Sequence, residues 1–141
     1  MRNSLIYSVL FALGIGISIQ SCQNENSLDH KRYYVNGKRI YEKSCQSCHG
    51  ADGKGLGTLY PPLTDTTYLK LNKNQLACMI RYGQQGEIKI NNITYDEIMP
   101  GNETLADIDI AQVIVYITNS FGNKQGFYDS EAVTSDLKTC K

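Results

Sequence analysis

The sequence predicts one modest all-α domain with a suggested short β-hairpin, and three observations lead there. Apolar and aromatic side chains recur at helical spacing in three separate stretches, 34–48, 72–82 and 104–121. Alternation is confined to 87–95, where Ile88 and Ile90 stand against Ile93 and Tyr95 about Asn91-Asn92, a turn pair that tolerates positive φ. Finally, 141 residues of which 41% are hydrophobic suffice for one core and not for two. Basic and acidic residues balance at 14 each, so nothing suggests a nucleic-acid partner. Five cysteines in so short a chain fit an oxidising, exported setting better than a reducing cytosol.

The chain opens on a segment that reads as a signal peptide, residues 1–21. Met1-Arg2-Asn3-Ser4 is a short positive start, and the run from Leu5 to Ile19 is apolar except for Ser8, Gly14, Gly16 and Ser18. This run falls short of the roughly 20 residues that cross a membrane, which makes a spanning anchor the weaker reading. It ends in Ile19-Gln20-Ser21-Cys22, which resembles the lipobox of bacterial lipoproteins, although Gln20 is not the usual residue at its place. That resemblance implies a lipid on Cys22, which anchors a protein without a spanning helix. Ordinary cleavage nearby would instead leave Cys22 free. Residues 22–32, with His30 among them, have no apolar periodicity and read as a flexible lipidated tether. The domain is expected over 33–121, and 122–141 as an extension packed on it.

In the first helical stretch Tyr41, Cys45 and Cys48 share a face at i, i+4 and i+7, so a helix end delivers Cys45-Gln46-Ser47-Cys48-His49. Two thiols at this spacing can reach the vinyl groups of one haem, and the adjoining histidine can ligate its iron. A thioredoxin-like redox pair would not need His49, and half a zinc site would need two further ligands. The glycines at 50, 53, 55 and 57 mark an irregular loop able to pass close to a flat cofactor. The middle stretch puts Leu76, Met79 and Ile80 on one face, Cys78 on the opposite one, and a stop at Gly83. Past the hairpin, Ile98-Met99-Pro100-Gly101 offers a thioether in an irregular segment; a soft donor of this kind suits iron and favours its reduced state. The alternative for Met99 is ordinary core packing. The last stretch carries a stripe of Ile110, Val113, Ile114, Ile117 and Phe121, with Thr104-x-x-Asp107 as a capping box and Gly122 as its stop.

These motifs together resemble class I c-type cytochromes. Gly37 and Tyr41 match the Gly-x-x-x-aromatic pair of that family's first helix, and Val113 with Tyr116 the aliphatic-x-x-aromatic pair of its last. Pro61 and Leu63 match its Pro-x-Leu segment, and Met99-Pro100 its Met-Pro segment. The resemblance implies a cytochrome c-like fold, with the first and last helices crossing at Gly37 around one covalent haem c. Cys45 and Cys48 would bind it covalently and His49 and Met99 would be its axial ligands. The Pro61 carbonyl would accept from His49, and Leu63 would pack on the haem. From Gly86 to Asn123 the chain is also similar to single-haem domains attached to periplasmic dehydrogenases and copper nitrite reductases.

With two cysteines assigned to haem and one to lipid, Cys78 and Cys140 remain, and in an oxidising compartment two such leftovers tend to pair. Arg81 and Tyr95 are candidate partners for the haem propionates, weighed against a solvated arginine and a packed tyrosine. No Ser/His/Asp set exists, only two histidines are present, and no carboxylate pair stands in a pocket context. The expected function is one-electron transfer in the periplasm or at the cell surface, between a redox protein donor and acceptor that meet the haem edge, on a membrane-anchored lipoprotein. A fixed subunit of an oxidoreductase complex is the alternative. A haem peroxidase or small-ligand sensor, and a haem-free structural lipoprotein, stand behind it.

Overall fold

A computed structural model describes residues 25–140. The signal peptide and Cys22 lie outside them. In chain order the elements are α1 (Glu25–Ser44), α2 (Gln46–His49), α3 (Thr66–Leu71), a 3₁₀ turn (Lys73–Gln75), α4 (Leu76–Tyr82), β1 (Gly83–Gln84), β2 (Ile88–Ile90), β3 (Ile93–Tyr95), β4 (Met99–Pro100), α5 (Asp107–Thr118) and α6 (Ser130–Leu137). The chain divides after Lys31, and Arg32 onward forms the domain.

Helix α1 begins at Glu25, ahead of the apolar pattern that starts at residue 34. Residues 25–32, expected as a flexible tether, are therefore helical. A polar stretch has no stripe to pack, but without Gly or Pro it can extend an existing helix at little cost. The helix expected over 72–82 is also shorter than its pattern. Asn72 donates its side-chain amide to the Tyr68 carbonyl at 2.9 Å and closes α3 instead. Such local side-chain bonds compete with helix continuation.

Helix α5 is the centre of the core, buried from Ile110 through Thr118. Its N-cap is Ala106, whose N–H donates to Asp109 at 3.2 Å, whereas the Thr104 hydroxyl, expected to cap, turns to Asn102 at 2.8 Å. Burial extends beyond the predicted stripe to Ala111, Val115 and Thr118. The reason is α6, which packs against α5, buries Val133 completely, and has too little apolar content to stand out in sequence. Asp129 starts α6 by accepting from the Ala132 N–H at 2.8 Å. Cys78 on α4 is joined to Cys140, just past α6, by a disulfide with the Cα atoms 5.6 Å apart.

Helices α1 and α5 meet at Gly37. A Cβ there would lie 1.9 Å from the Gln112 carbonyl oxygen, so backbone fills the place of a side chain. Around this contact Tyr116 meets Tyr34 and Tyr41, each at 5.2 Å between ring centroids, and Tyr41 meets Phe121 at 5.4 Å. Strands β2 and β3 form an antiparallel hairpin pairing Ile88 with Tyr95 and Ile90 with Ile93. Its turn holds Asn91 and Asn92 at φ of 50° and 64°, the paired left-handed conformation of a tight hairpin.

Gly37→Ala is expected to force the crossing apart and destabilise the protein by about 2–3 kcal/mol or more, the upper range for overpacking a core. Denaturant melts of the haem-loaded protein would show this as a lower midpoint.

Candidate functional site

The motif sits where α1 ends. The Cys45 N–H still donates to the Tyr41 carbonyl at 2.9 Å, and one further turn is closed by His49 donating to the Cys45 carbonyl at 3.0 Å. Cys45, Cys48 and His49 thereby line one cleft of about 1040 Å³, its open mouth included. Leu69, Leu76, Ile80, Val113 and Ile117 make its walls apolar.

His49 is 9% exposed, and its Nδ1 stands 3.0 Å from the Pro61 carbonyl oxygen. A carbonyl only accepts, so Nδ1 carries the proton and Nε2 the lone pair. Burial lowers the imidazole's pKa below its ordinary value, against the opposing effect of the Pro61 bond, and the ring is neutral at neutral pH. A neutral ring oriented by a backbone acceptor is the form in which histidine binds metal. The Pro61 carbonyl is itself held. The Gly55 N–H donates to the His49 carbonyl at 2.9 Å, and a Cβ on Gly55 would strike the Tyr60 oxygen at 2.1 Å. The Tyr41 hydroxyl donates to the Gly50 carbonyl at 2.6 Å, and the Leu63 N–H to that of Gly53 at 2.7 Å.

Asn123 secures the far end of this loop, and no motif or periodicity singles it out. It is 2% exposed, donates to the carbonyls of Leu63 and Ile117 at 2.8 and 2.9 Å, and accepts from the Thr66 hydroxyl at 2.7 Å. Its side chain thus ties the Pro61–Leu63 segment to the end of α5.

Met99 comes from the other end of the chain. Strand β4 pairs with β1, with Gln84 opposite Met99 and Gly83 opposite Pro100. Met99 is half-buried and lines the same cleft, as do Met79 on α4, Leu63 and Tyr95. Arg81 does not. The reading of it as a solvated arginine is corrected: it donates to the Glu103 and Leu105 carbonyls at 3.1 and 2.6 Å and pairs with Asp107 at 2.6 Å. These acceptors lie on one segment within reach of its planar fork. Cys78 and Cys140 lie outside the cleft's lining.

Burial, and then the neighbouring Cys48, push the Cys45 thiol up to about 11. A dithiol redox centre needs the opposite shift, so Cys45 is poorly suited to thiolate chemistry. Zinc would need more ligands, and among the described residues no three Cys, His, Asp or Glu side chains converge on a metal position. A flat iron porphyrin fits: an apolar cleft, two thiols at one edge, a neutral imidazole and a thioether.

Sequence comparisons point the same way. The family model described as Cytochrome c matches residues 34–120. The fructose dehydrogenase cytochrome subunit of Gluconobacter japonicus is 34% identical over 103 residues, 70% of this chain and 21% of that protein. Cytochrome c-552 of Thermus thermophilus is 30% identical over 93 residues, 63% of this chain and 70% of that one. The cytochrome c subunit of the quinone alcohol dehydrogenase of Gluconacetobacter polyoxogenes is 33% identical over 93 residues, 64% of this chain and 19% of that protein. The matched region is therefore only about a fifth of either dehydrogenase subunit.

Asn123→Ala would take a donor from the buried Ile117 carbonyl and the half-buried Leu63 carbonyl. A loss of about 2–3 kcal/mol in stability is expected from that exposure of unpaired groups, measurable by thermal or denaturant unfolding of the haem-loaded protein.

Proposed function

The chain belongs to the cytochrome c family, and on that premise we propose that His49 and Met99 are the axial ligands of its haem iron and that redox proteins of the cell envelope are its donor and acceptor. Covalent haem c and electron transfer come with membership of the family. The ligand pair, the partners and the anchored setting are the proposal. When bound, the haem supplies a one-electron Fe(III)/Fe(II) couple.

The observation that carries this reading is the gathering of both motif thiols, a neutral imidazole and the Met99 thioether around one apolar cleft. Cys45 and Cys48 form the covalent attachments. The Pro61 carbonyl holds the imidazole in one tautomer and makes Nε2 a better donor. The Met99 sulfur is soft and favours the reduced iron, while the apolar walls keep out water that would stabilise the extra charge of the oxidised one. With His49 and Met99 both holding the iron, no position would be open for a substrate, which favours a carrier over an enzyme. The signal peptide and the lipid on Cys22 belong to the same proposal. Among the described residues no helix is long and apolar enough to cross a membrane, and a lipid anchor would need none.

A second reading has a specific support. Two of the matched proteins are named as cytochrome subunits of dehydrogenases, which supports a fixed subunit of an oxidoreductase. Recovery at constant stoichiometry with a dehydrogenase subunit through several purification steps favours the subunit; recovery alone favours the shuttle.

The ligand pair is tested by absorption spectroscopy. The oxidised protein is expected to show the weak long-wavelength charge-transfer band of a thioether–iron bond, and Met99→Ala to abolish it. The same substitution should admit carbon monoxide to the ferrous iron and lower the reduction potential by at least about 59 mV, one decade of preference in a one-electron couple. Survival of the band in Met99→Ala would remove Met99 from the iron.

A further inference from the structure

Arg81 stands outside the cleft, yet its guanidinium is held at three points. Its guanidinium, on a side chain only 16% exposed, bonds the Glu103 carbonyl, the Leu105 carbonyl and the Asp107 carboxylate. All three acceptors lie within eight residues after Met99. The same helix α4 grips this segment at two more points. The Asn102 N–H donates to the Ile80 carbonyl at 2.8 Å, and β1, which continues directly from α4, pairs with Met99 and Pro100 themselves.

Arg81 adds the charged contacts to a segment whose middle is otherwise exposed. Glu103 and Thr104 face solvent, and the segment's other supports are the Asn102 N–H on Ile80, the Thr104 hydroxyl on Asn102 at 2.8 Å, the Leu105 N–H on the Asn102 carbonyl at 3.4 Å, the Leu105 side chain packed on the core, and the Ala106 N–H on Asp109. Asp107, in turn, is fixed from the far side, because its second oxygen accepts from the Thr134 hydroxyl of α6 at 2.6 Å. And α6 is bound back to α4 through Cys78 and Cys140. The connection from α4 to the segment, to α5, to α6 and back to α4 is closed.

We propose that Arg81 is a positioning residue for Met99: by clamping the 103–107 segment to α4 it holds the thioether in place and resists its displacement. This rests on Met99 being an axial ligand. The fork geometry matters, because a single guanidinium satisfies two carbonyls and a carboxylate at once, whereas an ammonium is a point donor. Loss of the clamp acts on the ligand through the backbone that carries it, without touching the haem.

Imidazole added to the oxidised, haem-loaded protein competes with the thioether: its nitrogen–iron bond forms as the sulfur–iron bond breaks, with no change in oxidation state. The concentration giving half-displacement, read from loss of the charge-transfer band, measures how firmly Met99 is held. Arg81→Gln is expected to lower this concentration about tenfold or more, the factor that goes with losing a charged hydrogen bond. Arg81→Lys should recover part of the difference. Ser120→Ala, which removes the hydroxyl bond to Tyr34 at the opposite end of α5 from Asp107, should stay within about twofold of wild type, since separate sites act independently. Equal midpoints for Arg81→Gln and wild type overturn the clamp, and so does a fall in Ser120→Ala as large as that in Arg81→Gln. If Met99→Ala shows the wild-type band and midpoint, the ligand assignment fails first and the clamp falls with it, on a different variant. Should Arg81→Gln not assemble with haem, Asp107→Asn keeps the carbonyl contacts and is expected to give a smaller fall in the same direction; a wild-type midpoint there overturns the proposal.

Discussion

The closeness of the α1–α5 crossing is the constraint on which the histidine side of the domain depends. With the Gln112 carbonyl occupying the space of a side chain at residue 37, Tyr41 is pressed against Tyr116 and Phe121. A buried tyrosine hydroxyl needs a partner, and Tyr41 finds it in the carbonyl of Gly50, the first residue of the loop beyond the motif. The same loop brings Pro61 to His49. A wider crossing would loosen the ring cluster, release that hydroxyl, and leave the imidazole's orientation to chance.

The two sides of the cleft are held by different physics. On the histidine side the acceptor for His49 lies only twelve positions along the chain, and its support is a series of short backbone bonds within residues 49–63, finished by Asn123. On the methionine side almost every contact is between segments far apart in sequence. Helix α4 carries one wall of the cleft on one face and its disulfide on another, while its last turn holds the strand and segment around Met99. One short helix thus serves the apolar wall, the thioether and the chain's C-terminal extension at once.

This division explains what was legible in the sequence. Residues that meet by local spacing or by a motif with a fixed partner could be read: the thiols and His49, the Gly37 and Tyr116 positions, and the Asn91-Asn92 turn. The placement of Cys78 away from Leu76 followed from helical angle alone. Residues whose role depends on a distant partner could not. Asn123 is one polar residue in an irregular stretch, and its three side-chain partners lie elsewhere in the chain. Arg81 reads as a solvated or propionate-facing arginine, and its role on the 103–107 segment is hidden because its acceptors are mostly backbone carbonyls, which every sequence has. Helix α6 has a single fully buried side chain, Val133, too little to produce a stripe. The early start of α1 was missed for the opposite reason: periodicity reports an apolar stripe, and a polar stretch can be helical without one.

The bridge between Cys78 and Cys140 spans 62 positions and encloses both the hairpin and Met99. The Asn91-Asn92 turn is exposed at the tip of that hairpin, the kind of place where proteases cut. A cut there divides the polypeptide between the piece bearing Cys45, Cys48 and His49 and the piece bearing Met99. The two pieces remain one covalent molecule, so both halves of the cleft survive the nick together, and a damaged copy keeps the parts it needs in register.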